Sequence, residues 1–117
     1  MTVPPPVGGG TMHVADLDDS SITQGSSWLA IVTVGVVDDT GAAVDVATVT
    51  GPFRRGGIGK CTTGATGSCD VELMTTTRGE MFTVTDVTHA SLTYDAAANT
   101  DPDGDSNGTT IVINEPV

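Results

Sequence analysis

The sequence contains few basic and few aromatic residues, and it has no long apolar run. Only four of the 117 residues are basic, against 15 acidic ones, so the formal net charge is −11. A chain this acidic is repelled by the phosphates of nucleic acids and by anionic membrane surfaces, and we expect neither as a partner. No apolar stretch approaches the length that spans a bilayer, so the sequence does not predict membrane insertion either.

The four aromatic residues are Trp28, Phe53, Phe82 and Tyr94. With so few rings, the core must consist mainly of Val, Ile, Leu and Ala, and this bias together with the many threonines favours β-strands. A carbohydrate-binding sandwich usually stacks exposed aromatic rings on sugars. We expect Trp28, Phe82 and Tyr94 to be needed in the core, which leaves only Phe53 for such a role and weakens a lectin-like interpretation.

Signals of catalysis are also missing. The sequence has no G-x-S-x-G nucleophile motif, and the run GGIGK lacks the spacing of a phosphate-binding loop. A zinc site built on Cys61 and Cys69 is not expected either, because His13 and His89 stand alone and no nearby residue completes four ligands. We therefore expect a protein that is not an enzyme.

Residues 1–10 combine three prolines with three glycines, which is the composition of a linker. We predict one folded domain from 11 to 117. No signal peptide is visible, because the start has neither a basic segment nor an apolar run. If the protein is exported, we expect the chain to be a segment of a longer precursor.

The rest of the chain reads as short strands separated by turn residues, without a sustained helical period. The strongest strand signal is WLAIVTVGVVDD, in which Trp28, Ala30, Val32, Val34 and Val36 share one face. Its other face is also largely apolar, so we predict a central strand that is substantially covered on both sides. Seven to eight evenly spaced strands predict an all-β fold, an antiparallel immunoglobulin-like β-sandwich, with a small barrel as the alternative.

The two cysteines, Cys61 and Cys69, lie eight positions apart around the sequence TTGATGS. We predict that IGKCTT and SCDVELM form a β-hairpin in which the cysteines face each other and form a disulfide. At this spacing we expect the pair to be too close to link two sheets. A disulfide would indicate an oxidising compartment, and two free thiols in a reducing one are the alternative.

The stretch DPDGDSNG places Asp101, Asp103, Asp105 and Asn107 at alternate positions. Oxygen side chains at alternate positions of a turn are typical ligands of calcium, a hard cation that takes six to eight oxygens. From Asp103 onward the sequence matches the first half of an EF-hand loop, but the second half does not match. We therefore predict a calcium site that uses this ligand spacing while other segments complete the shell.

Two other acidic pairs are candidates for the remaining ligands, Asp16 with Asp18 and Asp38 with Asp39. The loops of a sandwich cluster at its two ends, and the sequence does not decide which pair reaches the acidic stretch. Calcium is favoured over magnesium because flexible loops suit its larger shell and exported proteins meet abundant calcium. The alternative is a hydrated turn, since Asp and Asn are good turn formers.

The segment GPFRRGGIGK gathers three of the four basic side chains, Arg54, Arg55 and Lys60. Such a cluster can contact an anionic partner or an acidic patch on another copy. We favour the simpler interpretation of an exposed loop whose charges offset the acidic surface.

Three runs in order, VTVGVVDDTGAAVDVATVTG, CTTGATGSCDVEL and EMFTVTDVTHASLTY, resemble the bacterial immunoglobulin-like domains of the invasin and intimin type, over about residues 27–95. The resemblance implies a secreted, extracellular or cell-surface location and a non-catalytic accessory, spacer or adhesion module beside other domains of a longer bacterial protein. Two alternatives stay open. One is a module that recognises a carbohydrate or protein ligand, and the other is a self-assembling fibre subunit that pairs with like copies.

Overall fold

The computed structural model describes residues 10–101, 104 and 106–116, which form two packed β-sheets. The strands are β1 (Thr11–Asp19), β2 (Ile22–Gln24), β3 (Ser27–Asp38), β4 (Thr48–Phe53), β5 (Gly57–Thr62), β6 (Ser68–Thr75), β7 (Gly79–Thr83), β8 (Asp86–Thr88), β9 (Thr93–Tyr94) and β10 (Thr110–Asn114). A 3₁₀ turn at Ala96–Ala98 precedes the acidic stretch. The predicted all-β sandwich is confirmed. The described residues form ten strands rather than the seven to eight predicted. β2 is added, and the run EMFTVTDV, whose composition predicts one strand over 80–87, is divided between β7 and β8.

β3 is the central strand of the first sheet. β1 and β2 pair with successive parts of one edge of β3, and β6 pairs with the other edge. A short β9 adds a parallel pairing on the outer edge of β1 at Thr11 and Met12. The predicted central position of the valine-rich strand is therefore confirmed, although the face of β3 that points away from the core is mostly half-buried rather than covered.

β4 is the central strand of the second sheet. β5 pairs with one edge of β4, while β8 and β7 pair with the other edge. β10 pairs antiparallel with β7 and forms the outer strand. The run AAVDVATVTG predicts a strand over 42–51, but β4 begins only at Thr48, because residues 42–47 form a loop in which Ala43 makes an isolated bridge to Val37.

The core lies between the two sheets and is mostly aliphatic. Alternate residues of β3 from Trp28 to Val36 are buried, as the period of two for a strand requires. The indole N–H of Trp28 donates to the backbone carbonyl of Thr77. Phe53 is only 3% exposed and packs against Phe82 with ring centroids 5.0 Å apart. Phe53 is therefore a core residue and does not present the exposed ring that sugar stacking needs.

Cys61 and Cys69 form a disulfide with Cα atoms 5.8 Å apart, as predicted. The predicted hairpin is wrong, however, because Cys61 lies on β5 of the second sheet and Cys69 lies on β6 of the first. The expectation that the pair is too close to link two sheets is wrong for the same reason. The connection 63–67 crosses from one sheet to the other, so the disulfide closes that edge of the sandwich.

Candidate functional site: an acidic cluster at the β1 edge

A β-bulge in β1 sets the directions of the acidic side chains on this strand. The pairing of β1 with β3 shifts register between Val14 and Asp16. An extra residue in one strand reverses which side chains face the core from that point onward. Val14 and Leu17 are therefore both buried although they lie three positions apart. Asp16 and Asp18 flank Leu17 and are both half-buried.

The segment after the 3₁₀ turn runs along the outer edge of β1 and brings Asp101 to these two carboxylates. The Val14 N–H donates to Asn99 Oδ1 over 2.8 Å, and the Thr100 N–H donates to the Val14 carbonyl over 2.9 Å. Further along β1, the Leu17 N–H donates to Asp101 Oδ1 over 3.3 Å. The edge of β1 thus binds the chain that crosses toward β10.

The base of the acidic stretch is closed by contacts between its two ends. Asp101 Oδ2 accepts a hydrogen bond of 2.7 Å from the Ser106 N–H. Gly108 has φ +84°, and a Cβ at this position would lie 2.7 Å from the backbone N and O of Thr100. Only glycine combines this positive φ with such a close backbone approach. These contacts hold the end of the acidic stretch against its beginning. The segment from β9 to β10, which we call the crossover, is therefore fixed at the edge of β1.

Asp16, Asp18 and Asp101 form a cluster in which one carboxylate oxygen from each residue lies within 4.8 Å of the others. Calcium binds oxygen at about 2.3–2.6 Å, so two ligands on one ion are separated by at most about 5 Å. Without a cation, each pair of ionised carboxylates at this distance repels by roughly 1 kcal/mol in water and by up to about 4 kcal/mol at an effective dielectric constant of ~20. The arrangement is suited to hold one hard divalent cation.

The structure brings together three of the six residues predicted as calcium ligands, Asp16, Asp18 and Asp101. Asp103 and Asp105 lie outside the described residues. Asn107 caps its own turn, because its Oδ1 accepts the N–H groups of Thr109 and Thr110 over 2.9 and 2.7 Å. The ligand set as a whole stays a prediction.

The second candidate pair, Asp38 and Asp39, does not join the cluster. Asp38 Oδ1 accepts the Thr40 hydroxyl and the N–H groups of Thr40 and Ala42 over 2.6 to 3.0 Å. The Thr40 hydroxyl contributes most to holding the pKa of Asp38 below its ordinary value, and the two amides act in the same direction. Asp38 is therefore the acceptor of a tight turn after β3.

Asn99 is a structural residue of this site that the sequence does not reveal. Its Oδ1 accepts from β1, while its Nδ2 donates to the Tyr94 hydroxyl over 2.7 Å and to Thr109 Oγ1 over 3.0 Å. Burial raises the pKa of Tyr94 above its ordinary value, although the hydrogen bond from Asn99 acts in the opposite direction. Asn99 joins β9, β1 and the residue before β10. No spacing rule identifies it, because the β1 strand that it binds at Val14 is remote in sequence.

No family model, curated protein or solved structure matched this chain. The resemblance to bacterial immunoglobulin-like domains therefore stays a prediction. Within the described ranges, there is no helix with the length and hydropathy to cross a membrane. The Cys61–Cys69 disulfide is compatible with an oxidising, extracellular location.

Proposed function

We propose that the chain is a non-catalytic extracellular module, an accessory, spacer or adhesion domain of a secreted bacterial protein, and that calcium stabilises it. The observation that carries the proposal is the convergence of Asp16, Asp18 and Asp101 within 4.8 Å. Two of these carboxylates come from a strand of the first sheet. The third comes from the segment that leads to β10 of the second sheet.

Bound calcium would act mechanically. It would neutralise the repulsion within the cluster and fix the crossover against β1, so that neighbouring domains of the longer protein are held by a stiff unit. Three carboxylates supply part of the six to eight oxygens that calcium requires. Asp103, Asp105 and water are the candidates for the remainder. The disulfide on the opposite edge supports the same interpretation, since small extracellular modules are commonly reinforced by covalent links.

The test is a thermal melt of the oxidised protein in EDTA and then across a calcium titration, with magnesium as a second series. Calcium in excess of its dissociation constant by about 100-fold adds roughly 2.7 kcal/mol of stability when it binds only the folded state. For a domain of this size we expect the melting temperature to rise by roughly 10 °C. Magnesium should have a much smaller effect, because it demands a rigid octahedral shell and loses water reluctantly.

The variant Asp18→Asn separates ion binding from ordinary stabilisation. In EDTA we expect the variant to melt at the same temperature as the wild type or higher, because the substitution removes repulsion within the cluster. In calcium, the variant should lose most of the rise in melting temperature that the wild type shows. Asp45→Asn is the matched control, since Asp45 is an exposed loop carboxylate outside the cluster. A flat response of the wild type up to about 10 mM calcium, well above the range typical of extracellular modules, would contradict the proposal.

A further inference from the structure

A cavity of about 320 Å³ lies where the turn between β4 and β5 meets β7 and β10. Three of the four basic residues of the chain line this cavity, together with one carboxyl group and two apolar side chains: Arg54, Arg55, Arg78, Glu80, Met81 and Val112. Lys60, which the sequence grouped with Arg54 and Arg55, lies on β5 and does not line it. Arg78, from the turn before β7, takes its place.

The backbone between the arginines is held in position by Glu80. The Arg54 N–H donates to the Met81 carbonyl over 2.8 Å. The Arg55 N–H and the Met81 N–H both donate to Glu80 Oε1 over 3.1 Å. Glu80 is only 4% exposed. This buried carboxyl group fastens the β4–β5 turn to β7, so the two arginines of the turn project from a fixed point.

The cavity carries an excess of positive charge that its surroundings do not neutralise. Three arginines and a single glutamate line the cavity, so its lining carries more positive than negative charge. Among the residues that the structure describes, no carboxylate forms an ion pair with Arg54, Arg55 or Arg78. In a chain with 15 acidic residues, the separation of these arginines from carboxylates leaves their donors available to an external anion.

The other wall of the cavity is apolar. Met81 and Val112 are cross-strand partners on β7 and β10, and their neighbours Phe82 and Ile111 point into the core. Val112 is 62% exposed. A bare inorganic anion would use the guanidinium groups alone. A carboxylate attached to a carbon skeleton can use the apolar wall as well, because each apolar group removed from water contributes to affinity.

We propose that this cavity is a binding site for carboxylate groups borne on a carbon skeleton, either in a free dicarboxylate or in the side chains of an acidic peptide. The guanidinium group offers parallel N–H donors that match the two oxygens of a carboxylate. The site shares no residue with the acidic cluster on β1. The proposal is therefore independent of calcium binding and can fail or succeed separately from it.

The test is an NMR titration of the full ¹⁵N-labelled chain with succinate and, in a separate series, with a short polyglutamate peptide. Chloride and sulfate series at matched ionic strength accompany both. We expect saturable shifts at the amides of Gly79, Met81 and Val112. Saturation by succinate or by the peptide supports the proposal and identifies which source of carboxylate the cavity prefers. No saturation by either would overturn it, as would saturation by sulfate at an affinity equal to that for succinate.

Three variants connect the shifts to the arginines. The double variant Arg54→Ala/Arg78→Ala should raise the dissociation constant at least about tenfold, as expected when charged partners of an anion are truncated. Arg54→Lys/Arg78→Lys keeps the charge but removes the paired donors, and it should weaken binding by roughly threefold or more. Lys60→Ala, on the exposed edge of β5, should leave the dissociation constant within about twofold. Equal effects of Lys60→Ala and the arginine variants, all with unchanged melting temperatures, would overturn the assignment.

Discussion

At the scale of single residues, Val46 has a backbone conformation that its side chain disfavours. Its φ is +60°, the only positive value among non-glycine residues of the described chain. The loop is held there by the buried Thr63, whose hydroxyl donates to the Val44 carbonyl over 2.6 Å and accepts from the Ala47 N–H over 2.9 Å. The Val46 N–H itself donates to the Thr63 carbonyl over 3.0 Å. The tertiary hydrogen bonds thus impose a conformation that a β-branched residue adopts only at a cost.

We predict that Val46→Asn stabilises the protein by about 1 kcal/mol, because Asn tolerates a left-handed backbone and the valine side chain is 64% exposed. Urea denaturation would measure the change. Val112→Asn is the matched control, since Val112 is similarly exposed but lies within a strand, where Asn is unfavourable. A stability of Val46→Asn at or below that of the wild type would contradict this account of the loop.

At the scale of elements, the position of the crossover from β9 to β10 is fixed by the contacts between its two ends and with β1. Asn99 and Asp101 bind the N–H groups of β1, and Gly108 lies against the backbone of Thr100. The contact between Gly108 and Thr100 holds the segment that brings Asp101 to the carboxylates of β1. The geometry of the candidate calcium site therefore depends on a glycine that has no ligating side chain.

Gly108→Ala should destabilise the protein by at least about 2 kcal/mol, because it combines an unfavourable positive φ with an overlap of backbone atoms. Gly25→Ala is the control: Gly25 also has a positive φ, +67°, but a Cβ there would contact nothing within 4 Å. We expect Gly25→Ala to lower the free energy of unfolding by only about 1 kcal/mol. Chemical denaturation of both variants checks the difference, and equal losses would show that the close approach at Thr100 contributes nothing.

At the scale of the whole molecule, the two edges of the sandwich are closed by different means. In the first sheet, β1 and β6 lie on opposite sides of β3, and in the second, β10 and β5 lie at opposite ends. The disulfide joins β5 to β6 at one edge. The crossover with the acidic cluster joins β1 to β10 at the other. A covalent link and a proposed ion site thus act on separate edges of the same core.

Removing the disulfide in Cys61→Ala/Cys69→Ala should lower the free energy of unfolding by roughly 2.5 kcal/mol, the value expected for a closed loop of this length. Because the two edges share no residues, we expect the rise in melting temperature caused by calcium to persist in this variant, with the two effects nearly additive. Calorimetry with and without calcium tests both statements. A calcium response that disappears with the disulfide would show that the edges are coupled through the fold.

The strands of this protein were predictable where the pattern is local. The alternation of buried residues along β3 has a period of two, so its core face could be read from the sequence. The bulge in β1 was not predictable, because it depends on the register with β3. The hairpin around 63–67 was predicted wrongly, because its turn residues suit a crossover between sheets as well as a hairpin. β5 instead pairs with β4, and β6 pairs with the long apolar β3.

The sequence by itself determined the all-β class, the disulfide pair and the acidic stretch as a candidate cation site, since each depends on composition or on spacing within a short segment. Only the tertiary structure decided that the disulfide links two sheets, and that Asp16 and Asp18 rather than Asp38 meet Asp101. It also brought Arg78 to the cavity that Arg54, Arg55 and Glu80 line. These contacts join residues of different strands, and their positions depend on strand pairing and sheet packing, which short-range patterns do not encode.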